Sequence, residues 1–106
     1  MRKPVNPLEQ CTGFDWDDWN ISKNWERHRV APEEAEDIFF HDPLLLRDDR
    51  KHSHKELRFQ VMGETTARRR LLVAFTVRKN LIRVISARDL NRKENEEYKR
   101  HEKENS

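Results

Sequence analysis

Two strand-like segments joined by a tight connection constrain this chain more than any other feature. Leu71–Val77 is an almost unbroken apolar run, which is typical of a central strand. Leu81–Ala87 is a second strand-like segment, and only Arg78-Lys79-Asn80 separates it from the first. So short a connection joins neighbouring antiparallel strands. The sequence therefore predicts a β-hairpin within an antiparallel sheet.

Shorter strand-like segments precede this hairpin. Apolar and polar residues alternate over Leu57–Val61, so Arg58 is expected within a strand, on the face opposite the core. Leu44–Leu46 is a brief apolar run that can pair as a further strand, and the polar residues 47–55 predict a loop. A turn is predicted over Gly63–Arg70. Together these segments predict a sheet of about four strands.

Two helical segments are predicted before the sheet. A short strand-like segment, Phe14–Asp17, leads into a helix with Asp17 or Asp18 as its N-cap. Pro32 suits the first turn of a second helix, which Asp42-Pro43 ends. The side chains expected on the buried stripes are Ile21, Trp25 and His28 in the first helix and Ala35, Ile38 and Phe39 in the second.

A third helix is predicted after the sheet. Asn91 and Glu94 match a capping box, and we expect the helix to fray into a tail at residues 101–106. Residues 1–13 show no periodicity and are expected to form a flexible leader. The prediction is therefore a single α+β domain over residues 14–100.

Charge dominates the composition. Lys and Arg number 22 and Asp and Glu 20, but the net charge is only +2, whereas disorder by composition needs a high net charge. No apolar run approaches the roughly 18 residues of a membrane span, and the N-terminus lacks the apolar core of a signal peptide. A single cysteine, Cys11, allows no internal disulfide. These features predict a folded cytoplasmic protein without a membrane segment.

The basic residues are unevenly distributed. Residues 1–40 contain 5 basic and 9 acidic side chains, residues 41–88 contain 12 and 5, and residues 89–106 contain 5 and 6. The basic excess therefore falls in the predicted sheet. Such a segment forms either a solvated face or a surface that binds a polyanion such as nucleic acid.

Three arginines are the strongest candidates for a phosphate site. Arg58 and Arg83 lie within predicted strands and Arg88 lies at a strand end, where a guanidinium must reach water, a carboxylate or a phosphate. Arg83 and Arg88 are five residues apart, so strict alternation places them on opposite faces unless the strand bends or ends near Ser86. Salt bridges to Asp or Glu are the alternative explanation for each arginine.

Three further side chains are candidates for proton transfer. Glu94 and Tyr98 are four residues apart and project from one helix face, where they can move a proton or position a ribose hydroxyl. Alternatively, Glu94 only caps the helix and Tyr98 packs on the sheet. Because the unperturbed imidazole is the side chain that changes charge near neutral pH, His28 is either a general acid or base or a packing or capping residue.

Other chemistries have little support in the sequence. His52 and His54 form a pair without a third and fourth ligand, so no metal is expected. Cys11 has no nucleophile signature around it. Only Gly13 and Gly63 are present, which excludes a glycine-rich phosphate loop, and no cofactor is expected.

The order of several segments is more specific than any one of them. Phe14–Asp17, Arg27-His28-Arg29-Val30, Ile82–Arg88 and the pair Glu94 and Tyr98 follow one another along the chain. In this order the chain resembles the BrnT family of toxins from type II toxin–antitoxin systems, over roughly residues 14–98.

The resemblance implies a fold, an activity and a partner. The fold would be RelE-like, and the activity would be a ribonuclease that inhibits growth by cutting RNA. The partner would be a co-expressed BrnA-type antitoxin with a ribbon-helix-helix region. Operator DNA would be bound only by the complex of the two proteins.

On this interpretation RNA is cut without metal, by attack of the ribose 2′-hydroxyl on the adjacent phosphate. The candidate phosphate clamp consists of Arg58, Arg83 and Arg88. Glu94 or His28 would take the proton, Tyr98 would position the nucleotide or assist, and the RNA-binding candidates are Arg27 and Lys23.

Two positions depart from the family. Many relatives carry Lys where this chain has Asn20, and Gly where it has Arg29. The loss of an amine at Asn20 leaves Lys23 nearby and keeps a second hypothesis open, a degenerate toxin that only binds its antitoxin and tunes operator binding. A third hypothesis is an RNA-binding module without cleavage.

Overall fold

The computed structural model describes residues 6–52 and 55–105 and confirms the α+β class. The strands are Gly13–Asp15 (β1), Leu45–Asp48 (β2), Phe59–Glu64 (β3), Arg70–Arg78 (β4) and Leu81–Asp89 (β5). The helices are Asp18–His28 (α1), Pro32–Asp37 (α2) and Arg92–Glu104 (α3), with short 3-10 turns at Ile38–Phe40 and Arg50–His52. In this part of the chain no helix has the length and apolarity needed to cross a bilayer.

The strands form one sheet in the order β1-β5-β4-β3-β2. The predicted hairpin is β4–β5, and β2 to β5 are all antiparallel to their neighbours. β1 differs from the prediction because it pairs with β5 in the parallel direction. No short turn joins these two strands, so nothing local sets their relative direction.

The two faces of the sheet are covered differently. One face packs against α2 and the following 3-10 turn and forms the main core, in which Ala35, Ile38 and Phe75 are fully buried. The other face packs against α3 through Met62, Leu72, Leu90 and Tyr98. The buried stripe predicted for the second helix is confirmed at Ala35 and Ile38.

The turn predicted over Gly63–Arg70 forms at residues 65–69, but its predicted start is wrong because Gly63 lies inside β3 and pairs with Leu71. A Cβ at Gly63 would meet Leu44 Cδ2 at 2.8 Å and Ile38 Cβ at 2.9 Å. The glycine therefore allows the 3-10 turn to approach the sheet closely rather than bending the strand. With the strand displaced, Arg58 directly precedes β3 instead of lying within it.

The stripe predicted for the first helix is confirmed only in part, since Ile21 and His28 are half-buried. α1 buries Asn20 and Asn24, whereas Trp25 is 47% exposed. β1 pairs with β5 only as far as Arg83, so beyond that point no strand in the described part of the chain pairs with this edge of β5. Asn24 Oδ1 accepts a hydrogen bond from Ala87 N at 3.2 Å, so a polar side chain supplies the partner that this backbone amide would otherwise find in a neighbouring strand.

The helix starts agree with the predicted caps. Asp17 is the N-cap of α1, and Asn91 with Glu94 forms the capping box of α3. α3 continues to Glu104 instead of fraying from residue 101, and His101 Nε2 lies 2.9 Å from Leu44 O. Within the predicted leader, Leu8 packs against the main core; residues 1–5 lie outside the described residues.

Candidate RNA-binding face

A β-bulge in β5 decides which side chains share a face. Phe75 in β4 pairs with Val84 and the preceding Ala74 pairs with Ser86, so Ile85 is an extra residue without a partner. Val84 and Ala87 both reach the main core although they are three residues apart.

The bulge places Arg83 and Arg88 on the same side of the sheet, opposite the main core. This meets the condition set by the sequence, a bend in the strand close to Ser86. We call this side the open face where α3 leaves it uncovered; its residues are Gln60, Ala74, Arg83, Ser86 and Arg88. Thr76 lies on the same side but is buried and donates its hydroxyl to Leu57 O at 2.7 Å. The Cα atoms of the two arginines lie on the order of 15 Å apart at this spacing.

Arg83 is held by two carboxylates. Its Nη1 donates to Asp15 Oδ2 at 3.1 Å and its Nη2 to Asp17 Oδ2 at 2.8 Å. Asp17 Oδ1 also accepts from Asn20 N at 2.7 Å and so caps α1. One carboxylate therefore connects the start of α1 to Arg83, and the Asn20 side chain donates to the same group at 3.3 Å.

Lys23 lies near Asp17, the carboxylate that binds Arg83. Its Nζ donates to the carbonyl of the bulge residue Ile85 at 3.0 Å. Partial burial lowers the pKa of Lys23, the charges of Arg27 and Arg58 lower it further, and Asp17 partly offsets them. Lys23 therefore holds its proton less firmly than an ordinary lysine.

Arg58 borders a neighbouring cleft of about 530 Å³, which is also lined by His52, Lys55, Glu56 and Arg78. Arg78 donates two hydrogen bonds of 2.9 Å to Glu56. These bonds are the main reason that the pKa of Glu56 is lowered, and Arg58 and Arg83 contribute through their charges. Arg58, Lys23 and Arg83 thus occupy one basic region at the start of β5.

Arg88 forms a separate site with Glu94. Its Nη1 and Nη2 donate to the two carboxylate oxygens at 2.7 and 2.9 Å. Glu94 also accepts from Asn91 N at 2.9 Å, as its capping role predicts. The paired guanidinium lowers the pKa of Glu94 and the carboxylate raises that of Arg88. Glu94 is therefore a firmly held anion.

Two predicted proton-transfer residues lie away from Arg83. Tyr98 is 1% exposed and donates its hydroxyl to Pro43 O at 2.8 Å, and burial raises its pKa to about 12. His28 ends α1, and its carbonyl accepts a hydrogen bond of 3.0 Å from Arg69, which also binds Asp89 at the far end of β5. The structure does not bring either side chain to the phosphate candidates at the start of β5.

The main partners of Arg83 were missed by the sequence reasoning. Asp15 and Asp17 lie two residues apart around Trp16, and only the parallel pairing of β1 with β5 brings them to Arg83. Trp16 itself packs against the main core and donates its Nε1 to Glu36 Oε2 at 2.8 Å. The sequence did indicate that an arginine within a strand needs a carboxylate partner. It did not indicate which carboxylates would pair with Arg83.

No metal site is evident in residues 6–52 and 55–105, where no group of three or more His, Cys, Asp and Glu side chains converges. His52 Nδ1 lies 3.1 Å from Asp49 Oδ1, and His54 lies outside the described residues. Cys11 donates its thiol to Pro7 O at 3.3 Å, and burial raises its pKa.

Comparison with known proteins identifies the family of this chain. The family model described as "Ribonuclease toxin, BrnT, of type II toxin-antitoxin system" matches residues 16–94. The crystal structure of the Brucella abortus ribonuclease toxin BrnT superposes with a TM-score of 0.59 at 17% identity, over 76% of this chain and 97% of that one. No curated protein sequence matches significantly. The chain belongs to the BrnT family of ribonuclease toxins of type II toxin–antitoxin systems, which implies an RNA target and an antitoxin partner.

Proposed function

We propose that this protein is a metal-independent endoribonuclease that acts through its open face on cytoplasmic RNA. The observation that carries the proposal is the bulge at Ile85, which puts Arg83 and Arg88 on one uncovered side of the sheet. Lys23 and Arg58 extend the positive charge around Arg83. A polyanion is the ligand that such a surface attracts.

The proposed reaction is attack of the ribose 2′-hydroxyl on the adjacent phosphate. The new 2′-O–P bond gives a cyclic phosphate, and the bond to the 5′ oxygen breaks. Arg83 and Arg58 bind the phosphate oxygens and stabilise the charge that develops on them. Lys23, with its lowered pKa, donates a proton to the departing 5′ oxygen. The 2′-hydroxyl proton passes to a carboxylate beside Arg83, either Asp15 or Asp17.

Glu94, Tyr98 and His28 therefore have other roles in this mechanism than the sequence suggested. Glu94 is bound to Arg88 and to the helix cap, so we propose that the pair helps to bind RNA at the far end of the open face. Tyr98 and His28 serve the packing of α3 and the end of α1. Arg27, exposed on α1, contacts the RNA backbone.

Replacement of Arg83 tests the nuclease. Purified Arg83→Ala should lose cleavage of RNA by about 10²–10³-fold, because a donor to the developing charge is gone. Arg92→Ala, which removes an exposed charge on α3, is the matched control and should cleave normally. Expression of the chain alone should stop growth, and EDTA should have no effect on cleavage. Uncut RNA with folded wild-type protein would refute the nuclease, and loss of activity in EDTA would refute the metal-free mechanism.

The proposed partner is a BrnA-type antitoxin with a ribbon-helix-helix region. Its complex with this protein would bind operator DNA, whereas the toxin alone would not. Co-expression should restore growth and yield a stable complex, and a mobility-shift assay with operator DNA should require both proteins.

A second candidate function is a degenerate toxin that acts only as a co-regulator. The observation that favours it is that Arg83 and Arg88 are both paired with carboxylates, as structural arginines are. This candidate predicts that the wild type is not toxic, and that Arg83→Ala leaves antitoxin binding and operator binding unchanged. Growth arrest by the wild type that disappears in Arg83→Ala would exclude it.

A further inference from the structure

Trp19 is a large apolar side chain that the fold leaves uncovered. It is 71% exposed at the start of α1, although tryptophan is mostly buried in folded domains. We propose that the Trp19 indole stacks on an unpaired base of the RNA substrate, next to the phosphate at Arg83. This inference rests on the proposed function and adds a base subsite to it.

The position of Trp19 on α1 places it beside the open face. Trp19, Lys23 and Arg27 follow at intervals of four residues and so form one row along the helix. Lys23 reaches the bulge carbonyl of Ile85, so this row borders the edge of β5. Asp17, two residues before Trp19, holds Arg83 at 2.8 Å.

The chemistry of the row fits single-stranded RNA. Cations bind the phosphates, and an aromatic ring stacks on a base that is not engaged in a duplex. Stacking is tolerant of sequence because every base has a π-face. An antitoxin segment is the other possible occupant of an exposed tryptophan, but the two cations in the row favour a polyanion, so we assign the indole to RNA.

Trp25 lies on the same helix as Trp19 but in a different environment. It is six residues from Trp19, which turns it about 120° around the helix axis, away from the open face. The Arg29 guanidinium already lies 5.4 Å from the centroid of its ring, so one side of the indole is occupied within the chain. Trp25 is therefore a matched control of the same chemistry.

The experiment measures binding separately from cleavage. The full chain is titrated into a fluorescein-labelled, single-stranded 2′-O-methyl RNA, which lacks the attacking hydroxyl, and anisotropy is followed. Trp19→Ala should weaken binding by about 5- to 100-fold, the range expected for one stacked base. Trp19→Phe should retain most of the affinity, and Trp25→Ala should bind within about twofold of wild type. The salt dependence of Trp19→Ala should match that of wild type, because no phosphate contact is lost.

Three outcomes would contradict the base subsite, and they differ in what they imply for the nuclease. Equal affinities for Trp19→Ala and Trp25→Ala, with both proteins folded by circular dichroism, would overturn the base subsite and leave the nuclease intact. A Trp19→Ala variant that binds RNA normally but loses antitoxin affinity would overturn it in favour of a protein interface. A wild type that neither binds nor cleaves RNA would overturn the proposed function, and the subsite with it.

Discussion

Glu94 shows how a single carboxylate can have two structural roles at once. It accepts two hydrogen bonds from Arg88 and one from Asn91 N, and only 8% of the residue is exposed. Charge-assisted bonds of this kind are stronger than neutral ones. The capping role was predictable from the local sequence. The pairing with Arg88 was not, because it depends on the face to which the bulge turns that arginine.

The lowered pKa of Glu94 predicts a dependence of stability on pH. Because the folded-state pKa lies below the unfolded value of about 4.3, the stabilisation is complete above that value and is lost as pH falls through the folded pKa. Glu94→Gln should lower the free energy of unfolding at pH 7 by about 1–2 kcal/mol. Its stability should also fall less steeply than that of wild type below about pH 4. Urea denaturation between pH 3 and pH 7 measures both effects.

Glu96→Gln is the control for this experiment. Glu96 lies on the same helix, is largely exposed and is 4.0 Å from Arg92. Exposed pairs of this kind contribute little, so its stability should stay within about 0.5 kcal/mol of wild type. Equal effects of the two substitutions would contradict a specific role for the Arg88–Glu94 pair.

Among the elements, α1 differs most from what its sequence pattern indicates. A helix on a sheet face buries an apolar stripe, but α1 lies along an edge of β5 that presents unpaired backbone groups. Asn24 and Lys23 satisfy two of these groups, at Ala87 N and Ile85 O. The burial of polar side chains on α1 therefore follows from the early end of β1.

The close contact between β3 and the 3-10 turn leads to a prediction about stability. Gly63→Ala should lower the free energy of unfolding by about 1–3 kcal/mol, since its Cβ would lie 2.8 Å from Leu44 Cδ2 and 2.9 Å from Ile38 Cβ. Gly13→Ala is the control, because there the nearest atom, Leu81 Cδ2, lies 3.5 Å away. Thermal denaturation compares them, and an equal loss at both glycines would contradict the close approach.

In the whole molecule, one arginine connects three separate parts of the chain to its own loop. Arg69 donates to Asp89, to Glu34 and to the carbonyls of His28 and Arg29, at distances of 2.7 to 3.1 Å. The hydrogen bonds to Asp89 raise the pKa of Arg69 most, and the hydrogen bond to Glu34 raises it further, whereas partial burial opposes them. The end of α1, the start of α2 and the end of β5 are thereby held together.

Arg69→Ala should therefore lower the free energy of unfolding of the whole domain by about 2–3 kcal/mol. Arg68→Ala removes the same charge from the neighbouring exposed residue, whose φ of 67° is equally unfavourable for both side chains. Its stability should remain within about 0.5 kcal/mol of wild type. Urea denaturation followed by tryptophan fluorescence measures the difference, and similar midpoints for the two variants would contradict the connecting role.

The sequence alone determined the features that depend on neighbours along the chain. The β4–β5 hairpin follows from two apolar segments with a short connection, and the starts of α1 and α3 follow from Asp17 and Asn91. The α+β class and the order of elements follow from these local signals, and the order of the segments indicated the family.

Only the tertiary structure decided which side chains meet. The bulge at Ile85 reverses the expected separation of Arg83 and Arg88, and the parallel pairing of β1 brings Asp15 and Asp17 to Arg83. Neither event has a local sequence signal, because a bulge depends on how two strands pair and β1 meets β5 across most of the chain. The physical reason is that backbone hydrogen bonds at a sheet edge must be satisfied by whatever segment the fold brings there.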